Sequence, residues 1–378
     1  MARLPSYQKT TALVSRALAL APEALVAGFV PATQRELAQI IELRKQVIGA
    51  GLSWDDSRYL GWRYHLGSTD RGRGECWVVK RGGEVLAMLG SERISAVYEG
   101  RTVDGLSVMD IAVRPDLEGV GLGVWMAMQL CERSDCVLVI GSNTHSRAIV
   151  TRVFARLPDR RAYAHLIEFE PTFQRRFKLR WLALAGACLA RWSMKLWRGG
   201  VSLTRDRAVR IEALLHFDAS VDRLVRQSQA AHEICVDRSA RFLNWRLFDN
   251  PRSAYSVWAA RDGAELAGYI AVRIKVGEGG KNTLVIEDVL VRAAGNGAAV
   301  LRALLCRTFD QALAQGCERI TVIACHPDNE RVLRRLGFVR HRADAETLSV
   351  RCRDPQLNEA ITAGAPWHLT GANTDRDE

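Results

Sequence analysis

One set of landmarks occurs twice along the chain, in the same order. Arg58-Tyr59-Leu60-Gly61-Trp62-Arg63-Tyr64 matches Arg241-Phe242-Leu243-Asn244-Trp245-Arg246-Leu247. A tryptophan ahead of a glycine turn occurs as Trp77 and again as Trp258. Met109-Asp110-Ile111-Ala112-Val113-Arg114 matches Glu287-Asp288-Val289-Leu290-Val291-Arg292. The separations are 183, 181 and 178 residues. So small a drift over three ordered landmarks indicates two copies of one unit. The period is far longer than that of a solenoid or propeller repeat. Each copy mixes strand and helix signals, so the fold class is α+β. The paired Trp-Arg positions read as core, with each tryptophan filling its own domain and each arginine pairing locally.

Short-range patterns place the elements of the first copy. Val26–Val30 reads as a short strand. Thr33 followed by Glu36 is a capping box, and Leu37, Ile40, Ile41 and Leu43 then recur at helical spacing through Val47. Cys76–Lys80 and Val85–Ile94 read as strands about the turn Arg81-Gly82-Gly83. Ser107–Val113 is a third strand. A glycine-rich turn, Gly119-Val120-Gly121-Leu122-Gly123, leads into a helix through Cys131, and Cys136–Ile140 is a buried strand. The expected division is an N-terminal extension over 1–25, a first domain over 26–170, a linker over 171–208, a second domain over 209–352 and a tail over 353–378.

Composition sets the limits. Hydrophobic residues are 48% and charged residues 25% of 378, which excludes a disordered or collagen-like chain and fits two domains. Nine cysteines without a C-x-x-C pair are read as reduced, mostly buried thiols with no metal site. No apolar run reaches the ~20 residues that cross a bilayer. Arg16 splits the apolar N-terminal stretch and Pro22-Glu23 follow it, so a cleaved signal is not expected and the chain is placed in the cytoplasm. Net charge is +11, and residues 171–210 carry ten Lys or Arg against the single acid Asp206. At 100° per residue, Phe177, Trp181, Leu184, Ala185, Cys188, Leu189, Trp192 and Leu196 share one arc, with Arg176, Arg180, Arg191 and Arg198 beside it. Two readings stand: residues 174–198 dock on an anionic membrane surface, or they pack between domains with their arginines solvated.

The most specific motif is Asp110-Ile-Ala-Val-Arg-Pro-Asp-Leu-Glu-Gly-Val-Gly-Leu-Gly123, a strand, a glycine turn and a helix start. Such a turn presents successive backbone N–H groups to a pyrophosphate. There is no Ser-His-Asp elbow, P-loop lysine motif or H-E-x-x-H, so hydrolase, NTPase and metalloprotease readings lack support.

With Val113-Arg114-Pro115 ahead of Glu118-Gly119-Val120-Gly121-Leu122-Gly123, the chain resembles the GNAT superfamily of acyl-CoA-dependent N-acyltransferases. Glu118 stands where that family usually has Arg or Gln. The second copy resembles it too, in Asn329 opening a helix that ends in Leu336-Gly337-Phe338 and in Arg292-Ala-Ala-Gly295-Asn-Gly297, although its loop is four residues shorter and lacks proline. The resemblance implies two tandem GNAT-like domains, each a mixed, mostly antiparallel sheet flanked by helices. Acyl-CoA falls to the first, bound by Ile111, Ala112, Val113, Gly119, Val120, Gly121, Leu122, Gly123 and Asn143. It implies Asp110 as candidate base. The usual tyrosine acid falls on Phe154 in the first copy and Leu333 in the second, leaving Tyr163 or His145 as substitutes, a thiolate that leaves unprotonated, or lost catalysis. The tail Trp367-His-Leu-Thr370-Gly-Ala-Asn373-Thr-Asp375 resembles the W-x-x-T-x-G-D-S-D tail of GNAT proteins encoded with exopolysaccharide biosynthesis. The alternative for the tail is a disordered end with one anchoring tryptophan.

The implied function is transfer of an acyl group, expected to be acetyl, from acyl-CoA to an amine such as an amino sugar in envelope or exopolysaccharide assembly. Peripheral association with the inner membrane face goes with that reading, and a nucleic-acid partner does not. The alternatives are a Fem-type aminoacyl-tRNA-dependent transferase and an inactive double-GNAT binding module.

Overall fold

The computed structural model describes residues 6–49, 56–66, 74–142, 146–169, 209–229, 234–277, 280–293, 295–323, 327–363 and 367–373, with 181–182, 184–186, 188–189 and 192. The chain forms two compact units. Unit 1 is Met1–Arg160 with Glu346–Ala365, and unit 2 is Arg161–Ala345 with Pro366–Glu378.

In unit 1 the sheet runs β1 (Phe29–Pro31), β2 (Gly74–Arg81), β3 (Glu84–Tyr98), β4 (Arg101–Val113) and β5 (Cys136–Ile140), and ends on residues 346–352 of β13 (Val339–Cys352). All neighbours are antiparallel except β4 and β5. Gly82 and Gly83 both have positive φ (59° and 87°), which a two-residue hairpin turn requires. Alternation sorts side chains to the two faces. Cys76 and Val78 pack with Leu37, Ile40 and Leu43 of α3 (Leu37–Ile48) and with Tyr59 and Leu60 of α4 (Ser57–Tyr64). Trp77 and Val79 face the other way, toward Trp125, Met126 and Leu130 of α5 (Leu122–Arg133).

Residues 6–25 of the N-terminal extension pack on unit 1. They form α1 (Tyr7–Leu18) and the start of α2 (Pro22–Ala27), and Val14, Leu18 and Leu25 join the core around Trp125. The Trp125 Nε1–H donates to Thr11 Oγ1 at 3.1 Å. Val26 and Ala27 are helical, and the strand begins only at Phe29.

The capping box is as expected from sequence. Glu36 Oε2 accepts from the Thr33 N–H at 2.8 Å, and Oε1 accepts from Lys80 Nζ at 2.9 Å. Burial pushes the Glu36 carboxyl up, but the bonds from Thr33 and Lys80 outweigh it and hold the pKa at about 2. Glu36→Gln is expected to cost about 1 kcal/mol at pH 7. Because the folded pKa is depressed, this contribution is present above the ordinary value of 4.5 and fades as pH falls toward 2. Denaturation curves of both proteins should therefore differ at pH 7 and converge near pH 2.

Unit 2 repeats the plan. Its sheet runs β7 (Val209–Leu214), β9 (Ser256–Asp262), β10 (Glu265–Val276), β11 (Asn282–Val291) and β12 (Cys317–Ile323), and ends on residues 161–166 of β6 (Ala155–Leu166). Only β11 and β12 are parallel along this path. Helix α7 (Ala219–Gln229), α8 (Ala240–Leu243), α9 (Gly297–Ala314) and α10 (Pro327–Arg335) complete its main helices, with Val300, Leu301, Leu304 and Phe309 of α9 packed on Ile270, Leu284 and Ile286.

The closing strands are exchanged. The strand that follows α6 (Arg147–Val153) in the chain completes unit 2, and the strand that follows α10 completes unit 1. The contiguous stretches 26–170 and 209–352 are therefore not the compact units. The tail is divided as well, with α11 (Pro355–Thr362) in unit 1 and 366–378 in unit 2. Of the linker 171–208, only the eight positions given above are among the described residues.

Candidate functional site

In unit 1, the parallel pairing of β4 with β5 ends at Val108–Val139. β4 continues to Val113, paired with β3 alone in the ladder. Between the pairs Ser91–Val108 and Leu89–Ile111, β4 carries one extra residue, a bulge at Met109–Asp110. This bulge directs the strand away from β5 and leaves Ile111, Ala112 and Val113 beyond the parallel ladder.

The chain then passes through a short turn, Pro115–Leu117, into the glycine loop. Gly119 and Gly121 have φ of 84° and 87°, and Gly121 is the N-cap of α5. A Cβ at Gly119 would meet nothing within 4 Å, and one at Gly121 would only touch Leu13 and Val14 of α1. Gly123 has another role: a Cβ there would lie 2.7 Å from Ile149, so it allows α5 to pack on α6. The first turn of α5 has amide groups without intrahelical acceptors, at the positive end of the helix dipole. Glu118 is exposed, and Arg114 is held by Asp116 and Glu84 at 2.6 and 2.7 Å. The loop therefore offers an anion backbone amides, with Arg114 already paired.

Asp110 is locked in place. Its Oδ2 accepts from Arg44 Nη1 at 2.5 Å and from the Tyr64 hydroxyl. Burial would raise its pKa, but Arg44 and Tyr64 outweigh that and hold it below the usual carboxylate range. Arg44 comes from α3 and Tyr64 from α4, and Tyr64 reaches Asp110 because residue 90 is glycine. A Cβ at Gly90 would lie 2.2 Å from the Tyr64 hydroxyl. A general base at neutral pH needs a pKa poised near 7. An ionised, doubly hydrogen-bonded Asp110 has the geometry of an anchor for the bulge.

Asp110 belongs to unit 1. Tyr163 lies in unit 2, and its hydroxyl donates to Glu330 Oε2 at 2.7 Å, where Arg161 also binds at 3.0 Å. Burial and Glu330 push its pKa up. His145 and Asn143 lie outside the described residues. Phe154 is buried in the unit 1 core.

Unit 2 has the same backbone feature. Parallel pairing of β11 with β12 ends at Ile286–Val322, and an extra residue, Glu287, separates the pairs Val272–Ile286 and Ala271–Asp288. Here the bulge is covered by the chain's own tail. β14 (Trp367–His368) pairs in parallel with β8 (Ile234–Val236). Thr370 Oγ1 donates to Asp288 Oδ1 at 2.8 Å, and Arg246 Nε donates to the Ala372 carbonyl at 3.0 Å. Gly371 sits so close that a Cβ would lie 2.1 Å from Glu287 Oε2. Arg238, wholly buried, forks onto both Asp288 oxygens at 3.1 and 3.2 Å and also reaches Thr370 and Asn373. Residues 367–373 of the tail therefore plug the bulge. The glycine turn of unit 2 is tighter: a Cβ at Gly297 would lie 2.2 Å from the Arg292 carbonyl, and Arg292 is held by Asp262 and Asn296.

Two repeated features escape the sequence. Each strand tryptophan is covered by an arginine from the helix after the glycine turn: Arg133 over Trp77 at 4.6 Å, and Arg307 over Trp258 at 3.9 Å. Each bulge aspartate also accepts from one arginine and one tyrosine. Tyr64 comes from a helix, however, and Tyr269 from β10, so alignment of the copies does not pair them. Arg63, a shared landmark, is buried and pairs with Glu92 at 3.2 Å, as the core reading expects.

Residues 220–338 match the family model for the acetyltransferase (GNAT) family. The match lies within unit 2, whereas the longer glycine motif is in unit 1. A search of curated proteins gave no match. Among solved structures, the chain is similar to a GCN5-related N-acetyltransferase from Anabaena variabilis ATCC 29413, with a TM-score of 0.59 and 11% identity over 86% of this chain and 72% of that one. A GCN5-related N-acetyltransferase from Kribbella flavida gives 0.56 and 14%, over 86% and 70%. N-myristoyltransferase from Saccharomyces cerevisiae gives 0.52 and 10%, over 85% and 79%. At these identities the likeness establishes the fold, a mixed α+β architecture with two GNAT-like units.

Proposed function

We propose that the protein is an acyl-CoA-dependent N-acyltransferase, and that unit 1 holds the acyl-CoA. The observation that supports this most is the continuity of the end of β4, which runs past its pairing with β5, with the glycine-capped N-terminus of α5. Amides of Gly119, Val120, Gly121, Leu122 and Gly123 would hold the pyrophosphate, and the backbone of Ile111, Ala112 and Val113 would pair with the pantetheine. The bound thioester supplies the activated acyl group. Asp110, held by Arg44 and Tyr64, fixes the bulge that opens this edge. With Phe154 in the core, no acid is supplied from that position: as the neutral amine nitrogen bonds to the acyl carbon and the C–S bond breaks, the thiolate departs as the anion and the amine's proton passes to solvent. In unit 2 the tail occupies the corresponding bulge, so this reading assigns it no second acyl site. The yeast myristoyltransferase was solved with bound myristoyl-CoA, which supports the class of donor. Acetyl as the acyl group, and an amino sugar of envelope or exopolysaccharide assembly as the acceptor, belong to the same proposal and rest on the tail resemblance.

A second reading, an inactive double-GNAT binding module, draws support from Phe154 and from the ion-paired Asp110. Thermal unfolding with CoA and acetyl-CoA separates the two. At a ligand concentration 100 times Kd, binding stabilises the native state by about 2.7 kcal/mol. The acyltransferase reading expects such a rise for the wild type and none for Gly121→Asp, which adds a negative charge at the N-terminus of α5 and a side chain where the backbone has positive φ. No shift with the wild type, or an equal shift with the variant, overturns the unit 1 assignment.

A further inference from the structure

The stretch between the two copies belongs to neither bulge nor glycine turn. All its described residues, 181–182, 184–186, 188–189 and 192, are helical. Among these residues the large apolar side chains face solvent: Trp181 is 65% exposed, Leu184 43%, Leu189 74% and Trp192 64%. Elsewhere among the described residues the exposed large hydrophobics are scattered aliphatics, and both exposed tryptophans are here. Isolated exposed apolar residues need no explanation, but a clustered patch with two tryptophans does.

Length and charge decide what covers the patch. The uncharged run from Trp181 to Ala190 is ten residues, and at 1.5 Å per residue it spans about half of a bilayer core. Among the described residues no helix is long and apolar enough to cross a membrane. Arg176, Lys178 and Arg180 precede the run, and Arg191, Lys195 and Arg198 follow it. Tryptophan favours the boundary between headgroups and acyl chains, and flanking lysines and arginines favour anionic headgroups. A short apolar run with tryptophan, enclosed by cations, matches the chemistry of an anionic lipid surface on both counts.

We propose that the exposed apolar residues between 181 and 192 are an interfacial anchor that holds this protein on anionic bilayers, with Trp181, Leu184, Leu189 and Trp192 at the acyl boundary and the arginines and lysines that flank them in sequence drawn to the headgroups. The proposal does not depend on acyltransferase activity. It is tested by floating the full-length protein with vesicles of phosphatidylcholine alone and of phosphatidylcholine with phosphatidylglycerol. The protein should float with the anionic vesicles and not with the neutral ones, with a blue shift of tryptophan fluorescence. Trp181→Ser/Trp192→Ser should weaken binding at least about tenfold, and Arg180→Glu/Arg191→Glu by a comparable factor that shrinks with added salt. The two tryptophans are exposed, so the melting curve of the first variant should match the wild type and show that folding is intact. No flotation with anionic vesicles overturns the proposal, as does flotation that the tryptophan changes leave unaltered. Binding to RNA without binding to vesicles overturns it in favour of a nucleic-acid partner.

Discussion

Arg238→Ala is expected to destabilise unit 2 by about 3–5 kcal/mol, the usual cost of removing one partner from a buried ion pair. Its side chain and that of Asp288 are both fully buried. The guanidinium donates to the two Asp288 oxygens, to the Val236 and His368 carbonyls, and to Thr370 and Asn373. Its removal leaves a buried carboxylate that keeps the Tyr269 and Thr370 hydroxyls and the Val289 N–H but no cation to balance its charge. It also removes the bonds that hold the tail. Arg238→Lys should not rescue the loss, because one ammonium cannot reproduce a planar fork bonded on every side. Denaturation monitored with hydrogen exchange provides the check. Protection of residues 367–373 should collapse under conditions where α9 remains protected. A loss under about 1 kcal/mol with the tail still protected would show that the plug is held by packing and not by this network.

The second large effect is expected at Asp110. Asp110→Ala leaves Arg44 buried without this partner and should cost about 3–5 kcal/mol, while Asp110→Asn keeps the shape, loses the charge and should cost about half as much. The folded pKa of Asp110 is depressed. Its contribution is therefore complete above the unfolded value near 4 and is lost as pH falls through the folded value, so the Asn variant and the wild type should converge in strong acid. This pair of variants also separates an anchor from a base. If Asp110 acts through position, Asp110→Asn lowers acyl transfer but leaves the shape of its pH profile unchanged. Loss of the acidic limb of that profile in the variant would restore Asp110 as the proton acceptor.

The candidate site was partly legible before folding. Strand, glycine turn and helix start are all in the run from Asp110 to Gly123, and Gly119 and Gly121 do adopt the positive φ that the motif calls for. The environment of Asp110 was not legible. Its partners Arg44 and Tyr64 are 66 and 46 residues away, and although Tyr64 closes a repeated landmark, nothing local ties either residue to Asp110. The tail poses the same difficulty over a greater distance: Thr370 meets Asp288 across 82 residues and Arg238 across 132. Its polar composition reads as easily as a solvated end as it does as a buried plug.

Duplication, the capping box at Thr33–Glu36, the hairpin at Gly82-Gly83 and the glycine-capped helix are all written in residues a few positions apart, or in landmarks copied intact. Short-range sterics and hydrogen bonding suffice to specify them. The closing strands are different. β6 and β13 are each preceded by a helix of their own copy, and nothing local to either strand chooses between pairing at home and pairing with the other half. That choice, the plug over Glu287–Asp288 and the ionised state of Asp110 depend on edges, carboxylates and hydroxyls that are far apart in the chain and meet only when it is folded. Non-local pairing of this kind leaves no periodicity in the sequence, and so the tertiary structure alone decides it.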